Sequence, residues 1–302
     1  MSMVENNHLD LVKPLAQKVS LFSKKPGDHK SLIPELTMHI RNTPTEPLHC
    51  IYTLSLAVIL QGAKILSIED KVLPCSAGQS MLTTFDLPLV SHVSEANRHQ
   101  PFVAMLLKLD YNMILRTAAE LNFPKQTSST IFEPLSIHNV DSGLVDALNR
   151  LFELEYNDAL RDSLLPLIEK EVVIRLLQGP HGPHLRKLAL EGSPSSHIVR
   201  VISWLKQNFM RPIHIDQLAE QAHMSASSFR QHFKSITGTS PLQYLKTLRL
   251  QEARDQMFIN GLDANQASGV VGYESPSQFS REYSRLFGLP PQKDVQRLKQ
   301  QV

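Results

Sequence analysis

Apolar residues recur along this chain with two periods, and the change of period divides it. Leu9, Val12, Leu15, Ala16, Val19 and Phe22 fall at helical spacing, which predicts a helix to about Lys25, closed by Pro26-Gly27. From Leu32 to Leu109 the pattern shortens to apolar runs cut by Gly and Pro. The runs CIYTLSLAVILQG, KILSIEDKVLPCSAGQSMLTTFDLPLVSHV and FVAMLLKLD read as strands, with turns at 59–64 and at Glu69-Asp70-Lys71. So many short strands in so short a stretch predict a small sandwich or barrel. Helical spacing returns from Tyr111. Asp141 or Ser142 caps a helix carrying Leu144, Val145, Leu148, Leu151 and Phe152, and a second runs from about Asp158 to Gln178 with Leu164, Leu165, Ile168, Val172 and Leu176. Gly179-Pro180-His181-Gly182-Pro183 breaks it. Residues 179–196 read as a linker, in which Leu185, Leu188 and Leu190 leave room for one short helix.

After a further helix from His197 to Phe209, one pattern occurs twice: IDQLAEQAHMSASSFRQHFKSITGTSP from Ile215, and ANQASGVVGYESPSQFSREYSRLFGLPP from Ala264. Each copy holds a short helix, a tight turn, a Ser able to cap, a second helix, a Gly, and a Pro within three residues. In the first, Ile215, Leu218, Ala219 and Ala222 make one face, His223-Met224 the turn and Ser225 the cap. Phe229, Phe233 and Ile236 then point inward. Ala226, Ser227, Ser228, Arg230, Gln231 and Lys234 stay outside. In the second, Ser275 caps and Pro276 takes the first helical position. Phe279, Tyr283 and Leu286 point inward, and Ser277, Gln278, Ser280, Arg281 and Arg285 outward. A helix entering a major groove needs little bulk where it enters, Arg or Gln to meet base edges, and cations for phosphate. A plain helical bundle with polar outer faces would explain one such pair; two copies with matching caps, glycines and prolines favour paired helix-turn-helix motifs.

At TGTSPLQYLKTLRLQEAR and GYESPSQFSREYSRLFGLPP the chain resembles the AraC/XylS family of bacterial transcription regulators. The resemblance implies two helix-turn-helix motifs joined by a connecting helix, here 241–260 with Ser240 as cap. It also implies base-reading positions at Ser227, Arg230 and Gln231, and at Gln278 and Arg281. Two features depart from the family pattern. Ser268 and Gly269 stand inside the second motif's first helix, where an interior Gly costs roughly 1 kcal/mol against Ala. Lys293-Asp294 replaces the aromatic-basic pair that often follows the last Pro. The stretches TEPLHCIYTLSLAVILQGAK, SAGQSMLTTFDLPLVSHV and PLIEKEVVIRLLQGPHGPHLRKLAL resemble the cupin-like N-terminal domain of one subgroup. That likeness implies an effector-sensing and dimerising role.

Charge sharpens the division. Residues 197–302 carry 13 Lys and Arg against 8 Asp and Glu, a surplus of +5, while the remainder stands at −3. The cationic excess lies with the repeat, as a phosphate-binding surface requires. Cys50 and Cys75 are too few for a disulfide framework and suit a reducing cytosol. They read as small core or edge residues, with a redox sensor as the sharper alternative. The first residues lack a basic-then-apolar signal pattern and no apolar run can span a membrane, so a cytoplasmic location is expected. A metal-dependent cupin needs clustered histidines, yet His29, His39, His49, His92 and His99 are scattered singly. His181 and His184 are three apart, but on the Gly-Pro stretch expected to be a solvated loop. No nucleophile elbow, P-loop or dinucleotide fingerprint occurs, so neither an enzyme, a metal nor a cofactor is expected.

These readings combine into an α+β chain: a cupin-like β-barrel with helices over 1–178, a linker over 179–196, and an all-α DNA-binding domain over 197–302. Within the last, the helix-turn-helix motifs cover about 213–238 and 263–288. The function expected is a sequence-specific transcription regulator, an effector-responsive activator by resemblance. Its partners would be double-stranded DNA read in the major groove, an unidentified small molecule, RNA polymerase and a second copy of itself. Its recognition helices would enter successive groove segments roughly 34 Å apart. Arg230 and Arg281 would specify bases, and Lys234 and Arg285 hold phosphates. Helices 141–177 would form the dimer. The rivals are a ligand-processing cupin enzyme with a DNA-binding tail, and an interaction protein whose second motif is too weak to hold DNA.

Overall fold

A computed structural model describes residues 3–68, 70–121, 123, 132–190 and 192–300. The turn expected at Glu69-Asp70-Lys71 includes Glu69, which lies outside these. The chain divides into two compact units: Met1–Leu48, Tyr52–Phe85 and Val90–Ser193 form the first, and Pro194–Val302 the body of the second.

In chain order the first part runs α1 (Met3–Phe22), β1 (Gly27–Lys30), β2 (Leu36–Arg41), β3 (Leu48–Tyr52), β4 (Ser55–Gln61), β5 (Ala63–Ile68), β6 (Lys71–Ser76), β7 (Gln79–Thr83), β8 (Leu87–Glu95) and β9 (Phe102–Lys108). Then come α2 (Tyr111–Glu120), β10 (Leu135–Asn139), α3 (Ser142–Glu153), α4 (Asp158–Gln178) and α5 (Gly182–Ala189). The strands make two antiparallel sheets rather than one closed barrel: β1-β2-β9-β4-β7-β10 and β3-β8-β5-β6. In the larger sheet β4 is central, with Val58 opposite Ser80 of β7 and Met105 of β9. Helix α1 packs on β4 and β9, burying Val12, Leu15, Ala16 and Val19.

The strand pattern holds where apolar runs are long and fails where they are short or polar. Residues 59–64 are not a turn. β4 continues through Gln61 and β5 resumes at Ala63, with only Gly62 (φ +78°) between. A Cβ there would lie 2.4 Å from the Glu95 carbonyl oxygen, so the glycine lets that corner close against β8. β1, β2 and β10 lie outside the apolar runs. β1 reads GDHK and β2 LTMHIR, and their polar residues pair with each other: Asp28 accepts from His39 Nδ1 at 2.8 Å and from Arg41 Nη2 at 2.6 Å.

Asp141 caps α3 by accepting from the Leu144 amide. Leu144, Leu148, Leu151 and Phe152 are all buried within the chain, so this face is core. The stretch expected as a linker holds α5, and its histidines are not solvated. His181 is 2% exposed and His184 8%. The His181 ring nitrogens face Ser80 Oγ at 2.9 Å and Ser136 Oγ at 2.7 Å, which ties the start of α5 to β7 and β10. Burial, then the neighbouring His138 and His184, pushes the His181 pKa down to about 3, so the ring is a neutral hydrogen-bonding wedge near neutral pH. Cys75 is 0% exposed, and burial raises its thiol to about 12. It therefore lacks the lowered pKa and the access that a redox sensor needs.

In the body of the second unit every regular element among the described residues is a helix: α6 (Pro194–Asn208), α7 (Ile215–Gln221), α8 (Ala226–Thr237), α9 (Pro241–Ile259), α10 (Ala264–Val270), α11 (Pro276–Phe287) and α12 (Pro291–Gln300). Its core is aromatic. Phe229 and Phe233 of α8 meet at 5.5 Å, as do Phe233 and Tyr244 of α9. Tyr283 and Phe287 of α11 meet at 4.4 Å. Phe287, not the expected Leu286, completes the buried side of α11.

Candidate nucleic-acid interface

Both repeats fold as a helix, a turn and a second helix, and the same local chemistry builds each. The second helix starts at a serine. Ser225 Oγ accepts from the Ser228 amide, and Ser275 Oγ accepts from the Gln278 amide, each at 3.3 Å. The second helix ends at a left-handed glycine, Gly238 (φ +82°) or Gly288 (φ +77°), whose amide donates four residues back.

The turns match atom for atom although their sequences do not. Met224 donates to the Ala219 carbonyl and His223 to that of Glu220; Tyr273 donates to Ser268 and Gly272 to Gly269. This is the Schellman arrangement, which needs one residue at positive φ. The first copy places His223 there (φ +54°) and the second Gly272 (φ +80°). Gly272 has a second constraint, because a Cβ would sit 2.4 Å from the Met210 carbonyl oxygen.

The irregular residues of α10 do not prevent the helix. Asp263 and Gln266 form a complete capping box: Gln266 N donates to Asp263 Oδ1 at 2.8 Å, and Asp263 N donates to Gln266 Oε1 at 3.0 Å. Ser268 is buried with its hydroxyl on the Asn265 carbonyl, and a Cβ at Gly269 would meet open space. Asp294, where the family often has a basic residue, is 0% exposed and accepts from Tyr283 Oη at 3.0 Å. It thereby anchors α12 to α11. Neither α12 nor the capping box was recognised in the sequence, although Asp263 three residues before Gln266 is the signal for the box.

On α8, Ser227, Arg230, Gln231 and Lys234 are exposed and Ser228 is half-buried. Ser227 and Ser228 lean on the cap, with their hydroxyls 3.2 and 3.0 Å from Ser225 Oγ. Arg230, Gln231 and Lys234 make no side-chain hydrogen bond or ion pair among the described residues, so all three are available to a ligand. On α11, Ser277, Gln278, Arg281 and Arg285 are exposed and Ser280 half-buried. This face is organised differently. Glu282, which no local sequence signal marks, accepts from Gln278 Nε2 at 3.1 Å, from Lys246 Nζ of α9 at 2.7 Å and from Tyr273 Oη at 2.8 Å. Burial alone would raise the Glu282 pKa, but these donors outweigh it and hold the carboxyl below its ordinary value. Arg285 lines a cleft of about 220 Å³ with Gln243, Lys246, Leu250, Glu282 and Leu286. The arrangement can present Arg230, Gln231 and Lys234 directly to a polyanion, and Gln278 in an orientation set from behind by Glu282. Among the described residues no group of three or more His, Cys, Asp or Glu could hold a metal ion.

Residues 218–297 match a helix-turn-helix domain family, and residues 32–184 match the family described as the AraC-type transcriptional regulator N-terminus. The chain is similar to the RCS-specific HTH-type transcriptional activator RclR of Escherichia coli, 38% identical over 86 residues, which is 28% of this chain and 30% of that one. It is similar to the HTH-type transcriptional activator RhaR of Pectobacterium atrosepticum, 28% identical over 147 residues (49% and 50%). It is also similar to XylDLEGF operon transcriptional activator 1 of Pseudomonas putida, 25% identical over 206 residues (65% and 62%). The chain thus spans 30% to 62% of the length of these relatives. Among solved structures it shares the fold of an apo variant of ToxT from Vibrio cholerae, with a TM-score of 0.59 at 10% identity over 88% of this chain and 98% of that one. ToxT bound to (E)-4-(8-methylnaphthalen-1-yl)but-3-enoic acid gives 0.56 at 11% identity over the same shares. With its N-terminal match covering half of its length and the duplicated motif behind it, the chain belongs to the AraC-type transcriptional regulators.

Proposed function

We propose that the chain is a sequence-specific DNA-binding regulator that activates transcription, reading double-stranded DNA with α8 and α11. The observation that carries this reading is the duplicated helix-turn-helix in which both second helices are capped, buried on one side, and polar or cationic on the other. Arg230, Gln231 and Lys234, free of internal partners among the described residues, supply base and phosphate contacts in the first motif; Gln278, Arg281 and Arg285 supply them in the second. Ser227, Ser228, Ser277 and Ser280 keep the helix entrances small. The intact α10, with its capping box, supports a working second motif over the rival in which that motif is too weak to hold DNA.

In this proposal residues 1–178 take a small-molecule effector and form a homodimer, and the activated state works with RNA polymerase in the cytoplasm. No described helix is long and apolar enough to cross a membrane. With the α3 apolar face in the core, a dimer formed by helices 141–177 would use α4, where Leu160 and Leu167 are 47% and 63% exposed. Effector control requires that the ligand bind two conformations with different affinity. The proposal assigns no catalytic step to the chain.

The test is retention of genomic DNA fragments by purified protein at near-physiological salt. A few fragments sharing a two-part site support the reading. Uniform, salt-sensitive retention with no enriched site, with and without candidate effectors, overturns it.

A further inference from the structure

The two motifs are joined covalently only through α9, on which α8, α10 and α11 all pack. Two further contacts tie the motifs to each other directly. Arg249, midway along α9, donates through all three guanidinium nitrogens to backbone carbonyls. Nε reaches Phe209 at 2.7 Å and Nη2 reaches Arg211 at 2.9 Å, both in the loop leading into α7. Nη1 reaches Gly272 at 3.1 Å, in the turn between α10 and α11. Among the described residues no carboxylate pairs with the guanidinium. At the same place the chain passes so near itself that a Cβ on Gly272 would lie 2.4 Å from the Met210 carbonyl oxygen. One planar, rigid fork thus fastens the entrance of the first motif to the turn of the second.

We propose that Arg249 is a positioning residue that fixes the distance and angle between the two reading helices, and so sets which half-element spacing the protein accepts. This rests on the DNA-reading function proposed above. One base pair of extra spacer moves a half-element by about 3.4 Å along the duplex, on a repeat of 10–10.5 base pairs per turn. A clamped pair of helices rejects such a shift, whereas a pivoting pair follows it. Arg249 touches no base, so its removal relaxes the spacing while leaving the sequence of each half-element unchanged.

The experiment has two arms on the full chain. The first needs no DNA. Nitroxide labels are placed at Ser235→Cys on α8 and Ser277→Cys on α11 in a Cys50→Ser background, Cys75 being fully buried. Distances are then measured with Arg249, Arg249→Lys and Arg249→Met. The expected result is a narrow distribution for Arg249, at least twofold broader for Arg249→Met and intermediate for Arg249→Lys. Equal widths in folded proteins, judged by circular dichroism, overturn the proposal. The second arm selects duplexes from a randomised pool. The parent should enrich one spacing. Arg249→Met should enrich the same half-elements at several spacings, with the roughly tenfold penalty for a one-base-pair insertion falling to two- or threefold. A uniform loss of affinity with the single spacing retained makes Arg249 a merely structural residue and overturns the proposal. If Arg249→Met does not fold, Gly272→Ala, which opens the same contact from the other side, replaces it in both arms. A broadened distribution with no sequence enriched by the parent contradicts the DNA-reading function and leaves the clamp standing.

Discussion

The two helix-turn-helix copies reach one backbone geometry by different chemical routes. The first holds an exposed histidine at positive φ in its turn, its ring edge-on to that of His197 at 5.4 Å. The second requires glycine, because the Met210 carbonyl lies against it. Among the described residues, the first leaves its exposed Arg230, Gln231 and Lys234 without internal partners. The second ties Gln278 to Glu282 and, through it, to Lys246 and Tyr273. The first copy is thus the self-contained reader, and the second takes its position from the scaffold behind it. A repeat found in sequence fixes the shared plan; the residues that differ between copies mark where each meets the rest of the fold.

The largest effect expected from this contrast is in the turns. Gly272→Ala should destabilise the second unit by about 2–4 kcal/mol, combining the cost of a left-handed alanine with displacement of the Met210 backbone. His223→Ala should change stability by less than about 0.5 kcal/mol, since the strain is already present. Urea midpoints of the two variants decide it, and equal losses would erase the contrast. Next come the reading residues. Arg230→Ala should cost about 1–3 kcal/mol of discrimination between the selected site and random duplex. Lys234→Ala should weaken both alike and flatten the salt dependence. Gln278→Ala should cost about 1 kcal/mol or less, because one of its amide hydrogens is already committed to Glu282. Titrations at two salt concentrations separate the three. The caps should behave alike, since their geometry is alike: Ser225→Ala and Ser275→Ala should each cost about 1 kcal/mol in thermal unfolding. The smallest effect is a gain. Gly269→Ala should add about 0.5–1 kcal/mol, as the new methyl meets open space inside a helix.

The repeat was legible because its signals are local. Ser, Gly and Pro each act within a few residues, so caps, turns and the connecting helix could be read at close to their true limits. The capping box of α10 is equally local, but its signal, Asp263 three residues before Gln266, stands ahead of a helix that Ser268 and Gly269 weaken in sequence. In the strand region the long apolar runs announced β4 and β9. β1 and β2 did not, because their polar residues satisfy one another across the strand pair. Whether strands close into a barrel or form two sheets is a matter of long-range pairing, which alternation does not encode. The burial of His181 follows from serines 101 and 45 residues distant in sequence, Ser80 and Ser136, and no local rule reaches that far. The Glu282 network and the Arg249 clamp likewise join helices separated by turns.

A hydroxyl-radical footprint of the purified protein on a retained fragment decides whether both motifs read DNA. Two protected segments about one helical turn apart on one face of the duplex are expected, the segment read by α11 disappearing first when Arg281 and Gln278 are both replaced by alanine. A single protected segment that is lost entirely with Arg230→Ala and is indifferent to α11, or no site-specific protection at any salt, would contradict that expectation.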